Sequence, residues 1–359
     1  MGVPVFALVL LQAFVGSDAA RSRAENPALP VSDRREAYEH LIQNNPADTS
    51  LYVAYTSFLI ANHQYAPALT WITKGLAAAP SDAGLRLRHG IALHALGKYE
   101  ASLKILEALP ASGESRFYMG LDCRFLGDHK YAQKYLADAR DLGLRDPYAL
   151  YSLIEEDHAL GDKAAGLRHF RLLLADFPDS PWIHVLYANA YVQKDNDSEA
   201  IKEYREALRL KPDLPAVNFK LGFLLYKDSE YLPAAEYFRK ELTLNPSYSD
   251  ANLLLGLTLR TLGHEDEAIV YLRKAVALDT RSELAYRALG ASLSEKGDLN
   301  GAVEILRMAE NAFPADPTFP AQLAAVFARL NREEEALKEQ EKFRSLRKAQ
   351  QEKPAQAKQ

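Results

Sequence analysis

Residues 249–282 read SDANLLLGLTLRTLGHEDEAIVYLRKAVALDTRS, and this stretch decides the fold. In its first half the apolar residues form the broad face of one helix: Leu253, Leu254, Leu255, Leu257 and Leu259. Gly263 follows, and glycine readily adopts the left-handed conformation that ends a helix. In its second half apolar residues recur at helical spacing: Ala268, Ile269, Leu272, Ala275 and Val276. The stretch therefore predicts two amphipathic helices joined by a tight turn.

The same pattern returns along the chain at a fixed period. Pro178, Pro212 and Pro246 are evenly spaced, and Pro46 and Pro80 are separated by the same interval. Such a fixed spacing is the signature of an internal repeat. The phase set by these prolines gives nine repeats, which start at Thr49, Ala83, Gly113, Pro147, Pro181, Pro215, Ser249, Glu283 and Pro317. Eight of the repeats share one length, and the second is shorter.

Helix ends and helix contacts are also marked at fixed positions of the repeat. Position 15 carries a residue that can end a helix in Gly97, Gly127, Gly161, Gly263, Gly297 and Asn331. The pairs Asp146-Pro147, Ser180-Pro181 and Asp316-Pro317 place a capping residue before a proline at a helix start. Position 8 is small in Gly90, Gly120, Ala188, Gly222, Gly256, Gly290 and Ala324, and position 20 is small in all nine repeats. Small residues at two such positions let two helices approach closely.

These residues resemble the pattern of the tetratricopeptide repeat family, over about residues 49–350. The fifth repeat shows much of that pattern in Ala188, Tyr191, Ala200, Tyr204, Ala207 and Pro212. The resemblance implies an all-α fold, a right-handed α-solenoid of stacked antiparallel helix pairs. The sequence also departs from the family pattern: Ile154 stands where the pattern has a small residue, and Pro320 interrupts the start of the ninth repeat. Outside the repeats we expect a linker and a capping helix over residues 21–48 and a disordered tail over residues 351–359.

The chain begins with an apolar segment, Val3 to Val15, followed by the small residues of 16–20. Its length and the Ser17-x-Ala19 pattern are typical of a secretory signal peptide, which predicts export with cleavage after about residue 20. No Lys or Arg precedes the apolar segment, so a cytoplasmic protein is the alternative.

Composition excludes several classes of protein and gives no sign of catalysis. With 48% hydrophobic and 25% charged residues, the chain is neither disordered, collagen-like nor a multispan membrane protein. A net charge of −5 gives no electrostatic case for nucleic acid. The lone Cys123 cannot form an internal disulfide, and no metalloprotease, phosphate-loop or nucleophile-elbow motif is present. We therefore predict no enzyme activity, no cofactor and no metal.

Three further features of the sequence involve titratable or polar residues. His89 and His94 are predicted to be surface or partly packed histidines rather than metal ligands. The run Glu155-Glu156-Asp157-His158 is predicted to be a solvated acidic helix face. Asn196-Asp197-Ser198 fits a glycosylation acceptor, which matters only if the source organism glycosylates exported proteins.

The resemblance places a partner-binding groove on the first helix of each repeat, chiefly at positions 2, 5, 9, 12 and 13. In the middle repeats the candidate groove residues are Phe117, Arg124, Tyr148, Tyr151, Trp182, Asn189, Phe219, Phe223, Tyr226 and Lys227. Exposed aromatic side chains rimmed by cations are typical of a ligand surface, although several could instead pack between repeats. The residues of the family's carboxylate clamp and of its asparagine ladder are missing.

These observations favour a non-catalytic scaffold or adaptor that binds a protein or an extended peptide. Because aromatic faces also stack on sugar rings, a component of polysaccharide export or attachment that binds a carbohydrate polymer is the first alternative. A cytosolic adaptor is the second alternative. A homo-oligomer remains open. Fold alone does not decide among these functions.

Overall fold

The computed structural model describes residues 19–356, so most of the predicted signal peptide and residues 357–359 lie outside the described part. Within it, residues 19–25 form helix α1, and helix α2 (Val31–Asn44) lies where the capping helix was predicted. The first helices of the nine repeats are α3 (Thr49–Ala61), α5 (Ala83–Ala95), α7 (Gly113–Phe125), α9 (Pro147–Ala159), α11 (Pro181–Val192), α13 (Val217–Lys227), α15 (Ser249–Thr261), α17 (Glu283–Lys296) and α19 (Thr318–Arg329). The second helices are α4 (Tyr65–Ala78), α6 (Tyr99–Glu107), α8 (His129–Asp141), α10 (Lys163–Asp176), α12 (Asp197–Leu210), α14 (Tyr231–Leu244), α16 (Glu265–Leu278), α18 (Leu299–Ala312) and α20 (Glu333–Gln356).

Helix ends form for the reasons that the sequence indicates. The Asp146 carboxylate accepts hydrogen bonds from the backbone N–H groups of Tyr148 (2.7 Å) and Ala149 (3.1 Å), so α9 starts at Pro147 as predicted. Gly263 and Gly297 have φ values of 80° and 89°, the left-handed conformation expected after a first helix. Together with the succession of helix pairs, these helix ends confirm the prediction of an all-α solenoid.

Close helix crossings explain the small residues at position 8. A Cβ atom added to Gly256 would lie 2.7 Å from Leu272, and one added to Gly290 would lie 2.5 Å from Leu306. Both leucines are fully buried and occupy position 24 of the same repeat. Glycine is therefore required by the distance between the two helices of a repeat.

The chain divides into two compact units, with the division between Trp182 and Ile183. We call them the N-terminal unit and the C-terminal unit. Within each unit the two helices of a repeat pack on one another, as α7 does on α8 and α15 on α16, and first helices also contact first helices, as α5 contacts α7 and α15 contacts α17. The first helices thus form one continuous surface of each unit, which we call its first-helix face.

Helix α20 continues to Gln356, so residues 351–356 of the predicted disordered tail are helical. Extending an existing helix adds a hydrogen bond per residue without a new nucleation step, which favours this continuation.

Among the helices within residues 19–356, none combines the length and the apolar character needed to cross a membrane.

Candidate functional site

In the N-terminal unit the predicted groove aromatics are part of the interior. Phe117 and Tyr151 are buried, and Trp182 is only 4% exposed. The Trp182 ring stacks on Tyr148 and Tyr151, with centroid distances of 4.6 Å and 4.4 Å, and Phe117 contacts Tyr148 edge-on. Burial also raises the pKa of the Tyr148 hydroxyl. The expectation that Phe117, Tyr151 and Trp182 present exposed rings is wrong, because these rings fill the space between successive first helices.

The acidic run of α9 is likewise internal, which corrects the prediction of a solvated acidic face. Asp157 and Glu156 are buried. The two carboxylate oxygens of Asp157 lie 2.7 Å from Gln133 Nε2 and 2.6 Å from His169 Nδ1. The Glu156 carboxylate lies 2.7 Å from His129 Nδ1. These contacts join α9 to α8 and α10, so the acidic residues hold helices together.

Arg124, another predicted groove residue, belongs to the same network. Its guanidinium lies 3.3 Å from Glu156 and 3.7 Å from the half-buried Glu155. One repeat earlier, His94 Nδ1 lies 2.7 Å from the buried Asp122 carboxylate, which fits the prediction of a partly packed histidine. Buried carboxylates are tolerated only when donors satisfy them, and each of these carboxylates has at least one.

In the C-terminal unit the predicted groove residues on α13 are accessible. Phe219, Phe223 and Tyr226 follow one another at i, i+4 and i+7, which places them on one side of the helix. Phe223 is 45% exposed, while Phe219 and Tyr226 are half-buried. We call these three residues the aromatic stripe.

Neighbouring rings support the aromatic stripe at both of its ends. Phe219 packs against Tyr248 at a centroid distance of 4.7 Å and lies 6.5 Å from Phe223. Tyr226 contacts Tyr231 edge-on at 5.6 Å. The stripe is therefore fixed at both ends, and Phe223 between them offers the largest free apolar surface.

Polar groups flank the aromatic stripe. The Lys227 ammonium donates to Asp197 (2.6 Å), which raises the pKa of this exposed lysine. The Lys220 ammonium donates to the Asn189 side-chain oxygen (3.0 Å), and the Tyr204 hydroxyl donates to the same oxygen (2.6 Å). Asn189 and Lys227, both predicted for the groove, thus lie within hydrogen-bonded pairs between adjacent repeats.

Beyond the aromatic stripe the first-helix face carries smaller side chains. Ala325 and Ala328 are exposed on α19, and Ala291 is half-buried on α17. Arg329 donates to the carbonyl and hydroxyl oxygens of Ser294, each at 2.6 Å. Small residues at these positions agree with the sequence and leave room for an extended chain.

Glu241, which sequence analysis did not select, is a buried carboxylate next to this surface. It accepts hydrogen bonds from the backbone N–H groups of Ala216 and Phe219. The signal available in the sequence was its place at position 27, where the family pattern has alanine. Among the side chains that the structure describes, residues 19–351, no group of three or more His, Cys, Asp or Glu is arranged to hold a metal ion.

Comparisons with known proteins agree with this architecture. A family model described as TPR repeat matches residues 188–229, and one described as tetratricopeptide repeat matches residues 249–281. Both matched segments are tetratricopeptide repeats, as the residue pattern of the chain predicted. No curated protein sequence matches it.

Solved structures with a similar fold include three tetratricopeptide repeat proteins. One chain from the crystal structure of the APC/C hetero-tetramer Cut9-Hcn1 is similar over 87% of this chain and 62% of its own length, with 16% identity and a TM-score of 0.53. MamA from Desulfovibrio magneticus matches over 48% of this chain and 97% of that one, at 21% identity and a TM-score of 0.45. YrrB, described as a TPR protein with an unusual peptide-binding site, matches over 49% and 91%, at 21% identity and a TM-score of 0.46. At these identities the similarity concerns the fold alone.

Proposed function

We propose that this protein is a non-catalytic adaptor that binds an extended peptide of a partner protein on the first-helix face of its C-terminal unit. The observation that carries the proposal is the aromatic stripe, whose central Phe223 is 45% exposed on a helix that is otherwise well packed. An exposed aromatic ring held by its neighbours is a typical anchor for a partner, because it offers a large contact area at a small entropy loss.

The surroundings of the stripe suit an extended peptide better than a small molecule. Lys227 and Lys220 lie on the same helix as the stripe and supply polar contacts beside an apolar centre. The exposed alanines of α19 continue the first-helix face without bulky side chains. A peptide could therefore place an apolar side chain on Phe223 and run along the neighbouring first helices.

A selection from a phage-displayed library of random peptides, performed on the full chain, provides the probe for this proposal. The Kd of the best selected peptide is then measured by isothermal titration calorimetry. We expect F223A to raise the Kd of this peptide by about 10-fold to 100-fold, because the central anchor is lost. Leu232→Ala is the matched control, since Leu232 is 66% exposed on α14 of the same repeat but lies on the second helix.

The control variant is expected to bind within about twofold of wild type, since a surface apolar residue outside the contact contributes little. Equal binding by wild type and F223A, or an equal loss in F223A and L232A, contradicts the assignment of the stripe. A peptide displaced by soluble polysaccharide would favour the carbohydrate alternative instead.

We also propose that the protein is exported, on the evidence of residues 1–20 alone. Signal peptidase would then remove about 20 residues from the N-terminus. The intact mass of the chain purified from its native host tests this, and a mass that includes residue Met1 and the apolar segment contradicts it.

A further inference from the structure

Helix α13 starts in an unusual way. The repeat phase predicts a start at Pro215, yet the helix begins later, at Val217. Ala216, which precedes it, has a left-handed φ of 59° and offers no side-chain oxygen to cap the helix. An alanine in this conformation is disfavoured and persists only where other contacts fix it.

The missing cap is supplied by a residue of the next helix. Glu241, near the end of α14, directs its carboxylate at the start of α13. Its Oε1 accepts from Ala216 N–H at 3.2 Å and its Oε2 accepts from Phe219 N–H at 3.3 Å. One carboxylate thus binds two of the backbone N–H groups that a helix start leaves without a partner.

The capped residue Phe219 is also the first residue of the aromatic stripe. Its backbone is held by Glu241, and its ring is held by Tyr248 at 4.7 Å. A shift of the helix start would rotate all three stripe residues together, because they share one helix face.

We propose that Glu241 is a positioning residue for partner binding, whose buried carboxylate fixes the start and the rotation of the helix that carries the aromatic stripe. This inference rests on the proposed function of the stripe. The family pattern has alanine at position 27, a small residue that serves close packing. This chain has Glu241 there instead.

Burial and hydrogen bonding act on the ionisation of the Glu241 carboxylate in opposite directions. Burial raises the pKa of Glu241 against the opposing effect of its two backbone hydrogen bonds. A raised pKa means that the folded state disfavours the ionised carboxylate more than the unfolded state does. Stability from this group is thus fully present below the pKa of an unfolded glutamate and is lost as the pH rises from there through the raised pKa of the folded state. A neutral glutamine removes this penalty while losing one of the two acceptor oxygens.

The test is E241Q, measured with the selected peptide and by hydrogen exchange. We expect peptide affinity to fall by about 5-fold to 10-fold, because one of the two hydrogen bonds that fix the start of α13 is lost. Amide exchange at Ala216 or Phe219 should rise by about 10-fold, because one N–H loses its acceptor. The matched control is D298A, which removes the Asp298 cap from Gly301 N–H in α18 (3.0 Å) of the same unit. It should lower stability and leave peptide affinity unchanged.

Wild-type affinity and wild-type exchange in E241Q would overturn the inference. Should the wild type bind no peptide, the proposed function fails, and the positioning role is decided by hydroxyl-radical footprinting of Phe219 and Phe223. An altered labelling ratio of these rings in E241Q supports the positioning role, and an unchanged ratio overturns it.

Discussion

Replacing Gln133 and His169 together with leucine is expected to lower the unfolding free energy of the N-terminal unit by about 3–5 kcal/mol. These two side chains supply the donors at 2.7 Å and 2.6 Å from the buried Asp157 carboxylate. Without them the charge remains in the interior with no compensating hydrogen bond from either residue. An uncompensated buried charge is among the largest single destabilising effects in proteins.

Urea denaturation followed by tryptophan fluorescence measures this effect in the full chain. Both tryptophans, Trp71 and Trp182, belong to the N-terminal unit and report its unfolding. Adding Asp157→Leu to the double variant provides the control, since an apolar side chain needs no donor, and we expect it to recover at least about half of the loss. A double variant as stable as wild type would show that the Asp157 carboxylate is not buried and dependent on these two donors.

Replacing Trp182 with alanine is expected to lower the stability of the N-terminal unit by about 3–5 kcal/mol, the usual effect of truncating a large buried aromatic residue. The indole is 4% exposed and stacks on Tyr148 and Tyr151. Because it has no free face, W182A should leave the affinity for the selected peptide unchanged at a temperature where the variant is folded. Urea denaturation followed by circular dichroism gives the stability.

F223A is expected to have the opposite effects to W182A. The Phe223 ring is accessible, so its removal should change stability by no more than about 0.5 kcal/mol while lowering the affinity for the selected peptide. A W182A variant that keeps its stability but loses the peptide would return Trp182 to the binding surface and reverse our interpretation of this cluster.

The repeat architecture could be predicted because its cause is local. Glycine at positions such as 256 and 290 is imposed by a helix crossing that recurs from repeat to repeat, and the crossing leaves its mark at the same position each time. The same holds for Asp146 and Pro147, which start α9 by direct contact with the residues that follow them. Patterns of this kind need no knowledge of distant contacts.

The site was predictable only in part, because the face of a helix that meets a ligand also meets the adjacent repeat. Tyr151 and Phe223 occupy groove positions 5 and 9 of their repeats, but a stacked indole covers the former, whereas the latter keeps an accessible ring. Glu156 and Asp157 lie in a charged run that is typical of a solvated surface. Their burial depends on His129, Gln133 and His169, whose approach is set by the fold.

The central claim is that the aromatic stripe contacts a bound peptide, and photo-cross-linking tests it most directly. The apolar anchor of the selected peptide is replaced by benzoylphenylalanine, the complex with the full chain is irradiated, and the cross-linked residues are identified by mass spectrometry. The account predicts cross-links within Val217–Lys227 and none within Tyr231–Leu244. Cross-links confined to the second helices, or to the N-terminal unit, would contradict it.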